Sequence, residues 1–185
     1  MGTPEPEARH AATYDWGGLS VQQAVRDGYP PAVTAILDVG AGWGKYRDLL
    51  PEYPAMDACE AWRANIRDEN LWGRYRHVHH GTIQSLVDDI AGAYDVLIFG
   101  DVLEHLDVAD AQAVIRKTAF WCSDMFVVVP YLYEQGEEHG NHYECHLQPD
   151  LTPDVMEERY PQLHLVAEHN EPGHPPKGLY RKVIT

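Results

Sequence analysis

The sequence is short of positive charge. Fourteen Lys and Arg stand against 29 Asp and Glu, a formal net charge of −15 at pH 7 in 185 residues. A protein that holds nucleic acid needs a basic face to neutralise phosphates. The one basic cluster in view, Arg74, Arg76, His77, His79 and His80, is small, so nucleic acid is not expected as a partner. Cysteine is sparse as well. Cys59, Cys122 and Cys145 make an odd count without paired spacing, which argues against a disulfide framework. No apolar run approaches the ~20 residues that span a bilayer, and Met1 to Arg9 lacks the apolar centre of a secretion signal. Neither a membrane nor export is therefore expected, and the expected location is cytoplasmic. An internal repeat is also missing, as is any composition break that would mark a second domain. A hydrophobic fraction of 44% with 23% charged residues suits a single domain over 1–185.

What is present is an alternation. Within an N-terminal extension, 1–30, Ser20 is a good N-cap for a helix over Val21 to Arg26, which Pro30-Pro31 stops. Short apolar runs then read as strands at Ala35 to Val39, Asp95 to Phe99 and Phe126 to Val129, with a less apolar second strand at Ala55 to Glu60 and a polar third one over Arg76 to His80. Between them, helical spacing is predicted over Lys45 to Leu50, Ile83 to Ala91 and Val108 to Thr118, with Ala61 to Trp72 helical or irregular. Residues 131–151 are polar, His-rich and aromatic without a period and read as a long loop. Thr152-Pro153 is an N-cap followed by Pro at the first helical position, so a helix runs to about Tyr160. His164 to Glu168 and Leu179 to Ile184 are the last two strands, joined through the turn-rich Pro172 to Gly178. The expected fold is α/β, a Rossmann-like three-layer sandwich whose seven-stranded sheet is mostly parallel and ends in a C-terminal antiparallel hairpin.

Ligands of such folds bind beyond the carboxyl ends of the strands, so the loops after strands one, two and four are the places for a site. After strand one comes Asp38-Val39-Gly40-Ala41-Gly42-Trp43-Gly44. Three alternate glycines allow a tight turn and close approach of a ligand to the backbone. The dinucleotide fingerprint wants its third glycine one place later, where Lys45 stands. Asp38 could accept from loop amides or meet a ligand ammonium. Glu60, at the tip of strand two, is placed to take both hydroxyls of a ribose. After strand four, Phe99-Gly100-Asp101-Val102-Leu103-Glu104-His105-Leu106 puts Asp101 on the same crevice.

These segments, Ile36 to Gly44, Glu60, and Tyr94 to Leu106, resemble the class I S-adenosylmethionine-dependent methyltransferases, in particular their small-molecule branch. The resemblance covers about residues 33–130 and the terminal hairpin. It implies S-adenosylmethionine as cofactor and S-adenosylhomocysteine as product. It implies that Gly40, Ala41, Gly42 and Gly44 line the methionine and ribose part and that Glu60 holds the ribose. It places Ala61 and Trp62 beside the adenine and Gly100 and Asp101 near the methionine end. Many members carry an acid after strand three. Here the chain reads His80-Gly81-Thr82-Ile83, so Thr82 or a backbone group takes its place and Ile83 packs on the ring.

Methyl transfer from a sulfonium is a direct displacement in which alignment supplies much of the rate. A base is needed only if the acceptor must lose a proton. The candidates are His105, His142, Glu144 and His146, with His105 alternatively starting the next helix and facing water. Within the long loop, Gly140 to His146 is similar to an Asn-x-Tyr-Glu-x-His segment of some small methyltransferases. It reads as an acceptor lid, as a metal site from His139, His142, Glu144 and His146, or as a self-satisfied packed loop; no metal is assigned to it. Tyr14, Trp16, Tyr131, Tyr133 and Tyr143 are candidates for an aromatic acceptor wall. The expected function is methylation of a small-molecule acceptor at O or N. The alternatives are a non-catalytic S-adenosylmethionine-binding partner protein and an NAD-dependent oxidoreductase.

Overall fold

The computed structural model describes residues 17–92 and 94–183. Tyr14, Trp16 and Ile184, named above, lie outside them. One seven-stranded sheet runs in the order β3-β2-β1-β4-β5-β7-β6. Its strands are β1 (Ile36–Val39), β2 (Met56–Glu60), β3 (Val78–His80), β4 (Val96–Gly100), β5 (Asp124–Pro130), β6 (Leu163–His169) and β7 (Lys177–Lys182). The first five are mutually parallel, and β7 is antiparallel to both β5 and β6. The strand order reverses between β1 and β4, which opens a crevice at their carboxyl ends.

β1, β2, β4 and β5 are buried at nearly every position because helices cover both faces of the sheet. Alternate residues go to opposite sides. Leu37, Val39, Leu97, Phe99 and Val127 join Ala111, Val114 and Ile115 of α6 (Val108–Trp121) and Met156 of α7 (Pro153–Arg159). Ile36, Ala58, Ile98, Phe126 and Val128 join Val21 and Val25 of α1 (Gly18–Gly28) and Tyr46 and Leu49 of α2 (Lys45–Leu49). Among the described residues no helix is long and apolar enough to cross a membrane.

Several expectations shift. The first helix begins at Gly18 with Gly17 in the cap position, so Ser20 lies inside the helix and is not its N-cap. The uncertain stretch after β2 forms two short helices, α3 (Arg63–Asp68) and α4 (Leu71–Arg74). The helix expected over Ile83 to Ala91 is regular only over α5 (Ile83–Leu86). The chain continues in turns that still bury Val87 and Ile90, so the apolar spacing was a burial pattern more than a helix length. The last strand begins two residues earlier than its apolar run, at Lys177, because Lys177 and Gly178 are in register with Pro130 and Val129. That polar start carries a side chain into the crevice.

Candidate functional site

The crevice has two adjoining compartments. The inner one holds about 690 Å³ of empty space and the outer about 1270 Å³, both open to solvent.

The inner compartment begins where β1 stops. Gly40 has φ +66, and a Cβ there would stand 2.5 Å from Val102 Cγ2, so only glycine fits. The amides of Gly40 and Ala41 donate to the Cys59 carbonyl at 2.8 and 3.2 Å, tying the loop to β2. Glu60 completes the tie: its Oε2 accepts from the Gly42 amide at 2.8 Å and its Oε1 from the Trp62 amide at 2.7 Å. A carboxylate has about four acceptor sites, so each oxygen keeps capacity toward the compartment it lines. Burial pushes the Glu60 carboxyl up, with the nearby Glu144 charge adding to the effect, although the two amides pull it down. Ala61, Thr82 and Ile83 line the far end. Thr82 precedes α5, and its Oγ1 donates to Ser85 Oγ at 3.1 Å. Gln84, also lining, has a buried Oε1 without a partner.

Four expected contacts lie behind this wall, not on it. Asp38 is buried under the loop, where its Oδ2 accepts from Tyr75 OH at 2.5 Å; burial pushes its carboxyl up to about 7. Ala41 is buried. Gly44 is covered by Arg74, whose guanidinium donates to the Trp43 and Gly44 carbonyls at 2.6 and 3.0 Å. Gly100 is covered by the Tyr46 ring. These residues shape the loop from behind. Trp62 turns its side chain to the outer compartment.

The outer compartment is ionic. Asp101 sits at φ +59 just past β4. Lys45 Nζ is 3.4 Å from its Oδ2, and Lys177 bonds its Oδ1. Burial alone would raise this carboxyl, but Lys177 and Lys45 outweigh it and hold it at about 2. Glu104 is 1% exposed, and neither of its carboxylate oxygens has a partner. Burial, reinforced by the Asp101 charge, drives its carboxyl well above the usual range. His105 donates Nδ1–H to the Cys145 carbonyl at 3.2 Å, and His146 donates Nδ1–H to the Tyr133 carbonyl at 2.7 Å. The two rings are 4.8 Å apart at 73°. Burial lowers the His146 pKa.

The loop 131–151 roofs this space and is pinned down. The Leu147 and Gln148 amides donate to the Glu104 carbonyl at 2.8 and 3.0 Å. The buried Gln148 amide bonds the Leu103 and Leu106 carbonyls at 2.9 and 3.1 Å, and its Oε1 accepts from Tyr160 OH at 2.8 Å. Glu144 lines both compartments and accepts from Asn141 Nδ2 at 3.0 Å. His142 lines neither; its ring lies against Trp62 and Tyr143, with centroids at 6.2 and 4.0 Å. The quartet His139, His142, Glu144 and His146 does not converge. Among the described residues the ligand atoms that do converge are those of Glu104, His105 and His146. Of the expected aromatic wall, Tyr133 lines the outer compartment and Tyr143 the inner. Tyr131 is instead buried, its hydroxyl 2.6 Å from that of Tyr180.

Sequence reasoning missed Lys45, Lys177, Glu104 and Gln84. In the sequence Lys45 marks only a helix start and the place of an absent glycine, and Glu104 is only one member of the segment after strand four. Lys177 is 76 positions from Asp101 and has no local signal.

No family model matches the sequence, and no curated protein matches it. Solved structures do. A S-adenosylmethionine-dependent methyltransferase from Clostridium acetobutylicum superposes with a TM-score of 0.66 at 12% identity, over 97% of this chain and 99% of that one. The mitomycin 7-O-methyltransferase gives 0.56 at 17% identity over 97% of this chain, and PigF, solved with SAH, gives 0.55 at 17% over 96%. The chain spans 58% and 60% of the length of these last two. The fold is that of the class I S-adenosylmethionine-dependent methyltransferases.

Proposed function

We propose that the chain is a S-adenosylmethionine-dependent methyltransferase that methylates a small molecule at oxygen or nitrogen. One observation carries the reading. The two compartments meet along a shared wall, Gly42, Asn65, Asp101, His105, Asn141 and Glu144, so a ligand held in one faces a ligand held in the other.

The inner residues suit the cofactor. Glu60 has acceptor capacity left for two ribose hydroxyls, and its loop amides fix both oxygens in place. The unpartnered Gln84 Oε1 is a buried acceptor in want of a donor, which an adenine amino group supplies. Ala61 and Ile83 offer apolar contact to the ring. Trp62, facing outward, is better assigned to the acceptor. When bound, the cofactor supplies an electrophilic methyl group on a sulfonium. The chain then has to orient the acceptor and exclude water. Tyr133 and Trp62 give the outer compartment apolar walls, and His105 and His146 direct Nε2 away from their Nδ1 bonds, where it can accept an acceptor proton. His142 and Glu144 are left out of that role. The net charge of −15 favours neither nucleic acid nor an anionic membrane as substrate, and three unpaired thiols suit a cytoplasmic enzyme.

Calorimetric titration with S-adenosylhomocysteine, with NAD as control, tests the reading. Micromolar binding that weakens about tenfold or more in Glu60→Ala is expected. It should be accompanied by transfer of labelled methyl from S-adenosylmethionine to some member of a panel of hydroxylated and amino compounds. Failure of the folded protein to bind S-adenosylhomocysteine, or binding of NAD in its place, overturns it.

A further inference from the structure

We propose that Glu104, His105 and His146 form a binding site for a divalent transition-metal ion of the zinc or cobalt type, with an open position that takes a hydroxyl oxygen of the acceptor. The ion site stands on its own geometry; only the acceptor clause rests on the methyltransferase reading.

The three side chains come from two segments that are bonded together. Glu104 and His105 sit in the 3-10 turn Leu103–His105 after β4, and His146 lies in the loop. The Leu147 amide donates to the Glu104 carbonyl at 2.8 Å, which fastens the His146 segment against that turn. Both imidazoles are already in the form a metal ligand takes. Each donates Nδ1–H to a backbone carbonyl, Cys145 for one and Tyr133 for the other, which leaves Nε2 with its lone pair. Metal-ligating histidines are held in this way.

Glu104 supplies the second, independent observation. It is 1% exposed, and both of its oxygens lack any partner. Such an orphan is rare in a folded protein, and here it is aimed at two imidazole nitrogens. The nearest cations, Lys45 and Lys177, act on it only through space: both bond Asp101, and neither forms a hydrogen bond to Glu104. The ligand atoms lie within 4.8 Å of one another. A tetrahedral zinc with bonds near 2.0–2.1 Å needs them roughly 3.3 Å apart. His146 is half-buried on a loop, so the site closes by a small rotation of that ring. Two histidines and one glutamate with a fourth position open to a cleft is a donor set suited to zinc, cobalt and their neighbours. The outer compartment gives that position room and an entry path. A cation there lowers the pKa of a bound hydroxyl, so in the loaded protein the imidazoles act as ligands and the ion takes over the role of a base.

The test is a Co2+ titration of the full chain after dialysis against chelator, read by visible absorption, with Zn2+ competition and metal analysis of the recovered protein. One equivalent should bind, with a Kd of about 10 µM or tighter. Its absorption should be that of a four- or five-coordinate nitrogen and oxygen site. His146→Ala, a change on the half-buried loop, should weaken binding about fiftyfold, and Glu104→Gln about tenfold. Both variants should keep S-adenosylhomocysteine affinity within about twofold by calorimetry, a readout that also reports folding. Absence of Co2+ and Zn2+ binding at millimolar metal by protein that is folded, or binding unchanged in His146→Ala, overturns the site. If metal binds through His146 while S-adenosylhomocysteine does not bind, the ion site stands and the methyltransferase reading falls.

Discussion

The two compartments share a wall but are built in different ways. The inner one is a product of the parallel sheet. Its floor is the ends of β1 and β2, and its contacts run over short spans of chain: Gly40 and Ala41 to Cys59, Gly42 and Trp62 to Glu60. The outer one is assembled from distant pieces. It needs Asp101 after β4, Lys177 from an antiparallel strand and a loop hooked down through Gln148. Short-range construction gives rigidity and a recognisable motif. Long-range construction gives a compartment whose contents can change while the first is left alone, which suits a common cofactor beside a particular acceptor.

That comparison can be broken most severely at Gly40. Gly40→Ala puts a Cβ at 2.5 Å from Val102 in a left-handed residue. It should cost about 3 kcal/mol in chemical denaturation and weaken S-adenosylhomocysteine more than tenfold. A variant with wild-type affinity would remove the glycine loop from the cofactor site. Next is Gln148→Ala, which frees two carbonyls and the Tyr160 hydroxyl in a buried position. A loss of about 2 kcal/mol with faster amide hydrogen exchange across 131–151 is expected, while cofactor affinity holds. A matching loss of cofactor affinity would show that the compartments are not separable. Lys177→Met leaves Asp101 with Lys45 alone. It should lower stability by about 1–2 kcal/mol and depress methyl transfer, with S-adenosylhomocysteine binding within about threefold of wild type.

The smallest effect concerns Asp38, behind the inner wall. Its carboxyl, raised to about 7 by burial, lies above the value of about 3.9 in an unfolded chain. The folded protein therefore holds a proton there that the unfolded chain has released, and stability from this residue falls as pH rises from about 4 to about 7 and is level above that. Asp38→Asn keeps an acceptor for Tyr75 OH and removes the buried charge. It should flatten this part of the pH–stability curve and raise stability at pH 8 by about 1 kcal/mol. An unchanged slope between pH 4 and 7 would show that Asp38 is not the group responsible.

The same division decides what could be read from the sequence. β1, β4 and β5 were legible because each is an apolar run between turn residues, whereas β2 and β3, with their carboxylates and histidines, follow only from the strand–helix alternation; the glycine loop with Glu60 was legible because it is local. The backward-facing roles of Asp38, Gly44 and Gly100 were not, since being near a loop does not say which side of it a residue faces. Arg74, noted only as part of a basic cluster, turned out to clamp that loop. In the outer compartment only the chemical character of the segment was visible. The trio that converges takes His146 from the loop and Glu104 and His105 from the turn after β4, a pairing set by the Leu147 to Glu104 bond. Helical spacing over Ile83 to Ala91 misled because turns can bury the same positions.

The placement of β7 between β5 and β6 has a consequence for the order in which the molecule is made. A ribosome delivers β6 before β7, yet β6 touches the sheet only through β7, so it has no edge to join until the later strand emerges. The glycine loop and Glu60 need only the earlier strands. Lys177 arrives with β7. A nascent chain can thus close the inner compartment while Asp101 still has a single lysine, and the outer compartment is the last part of the molecule to be finished.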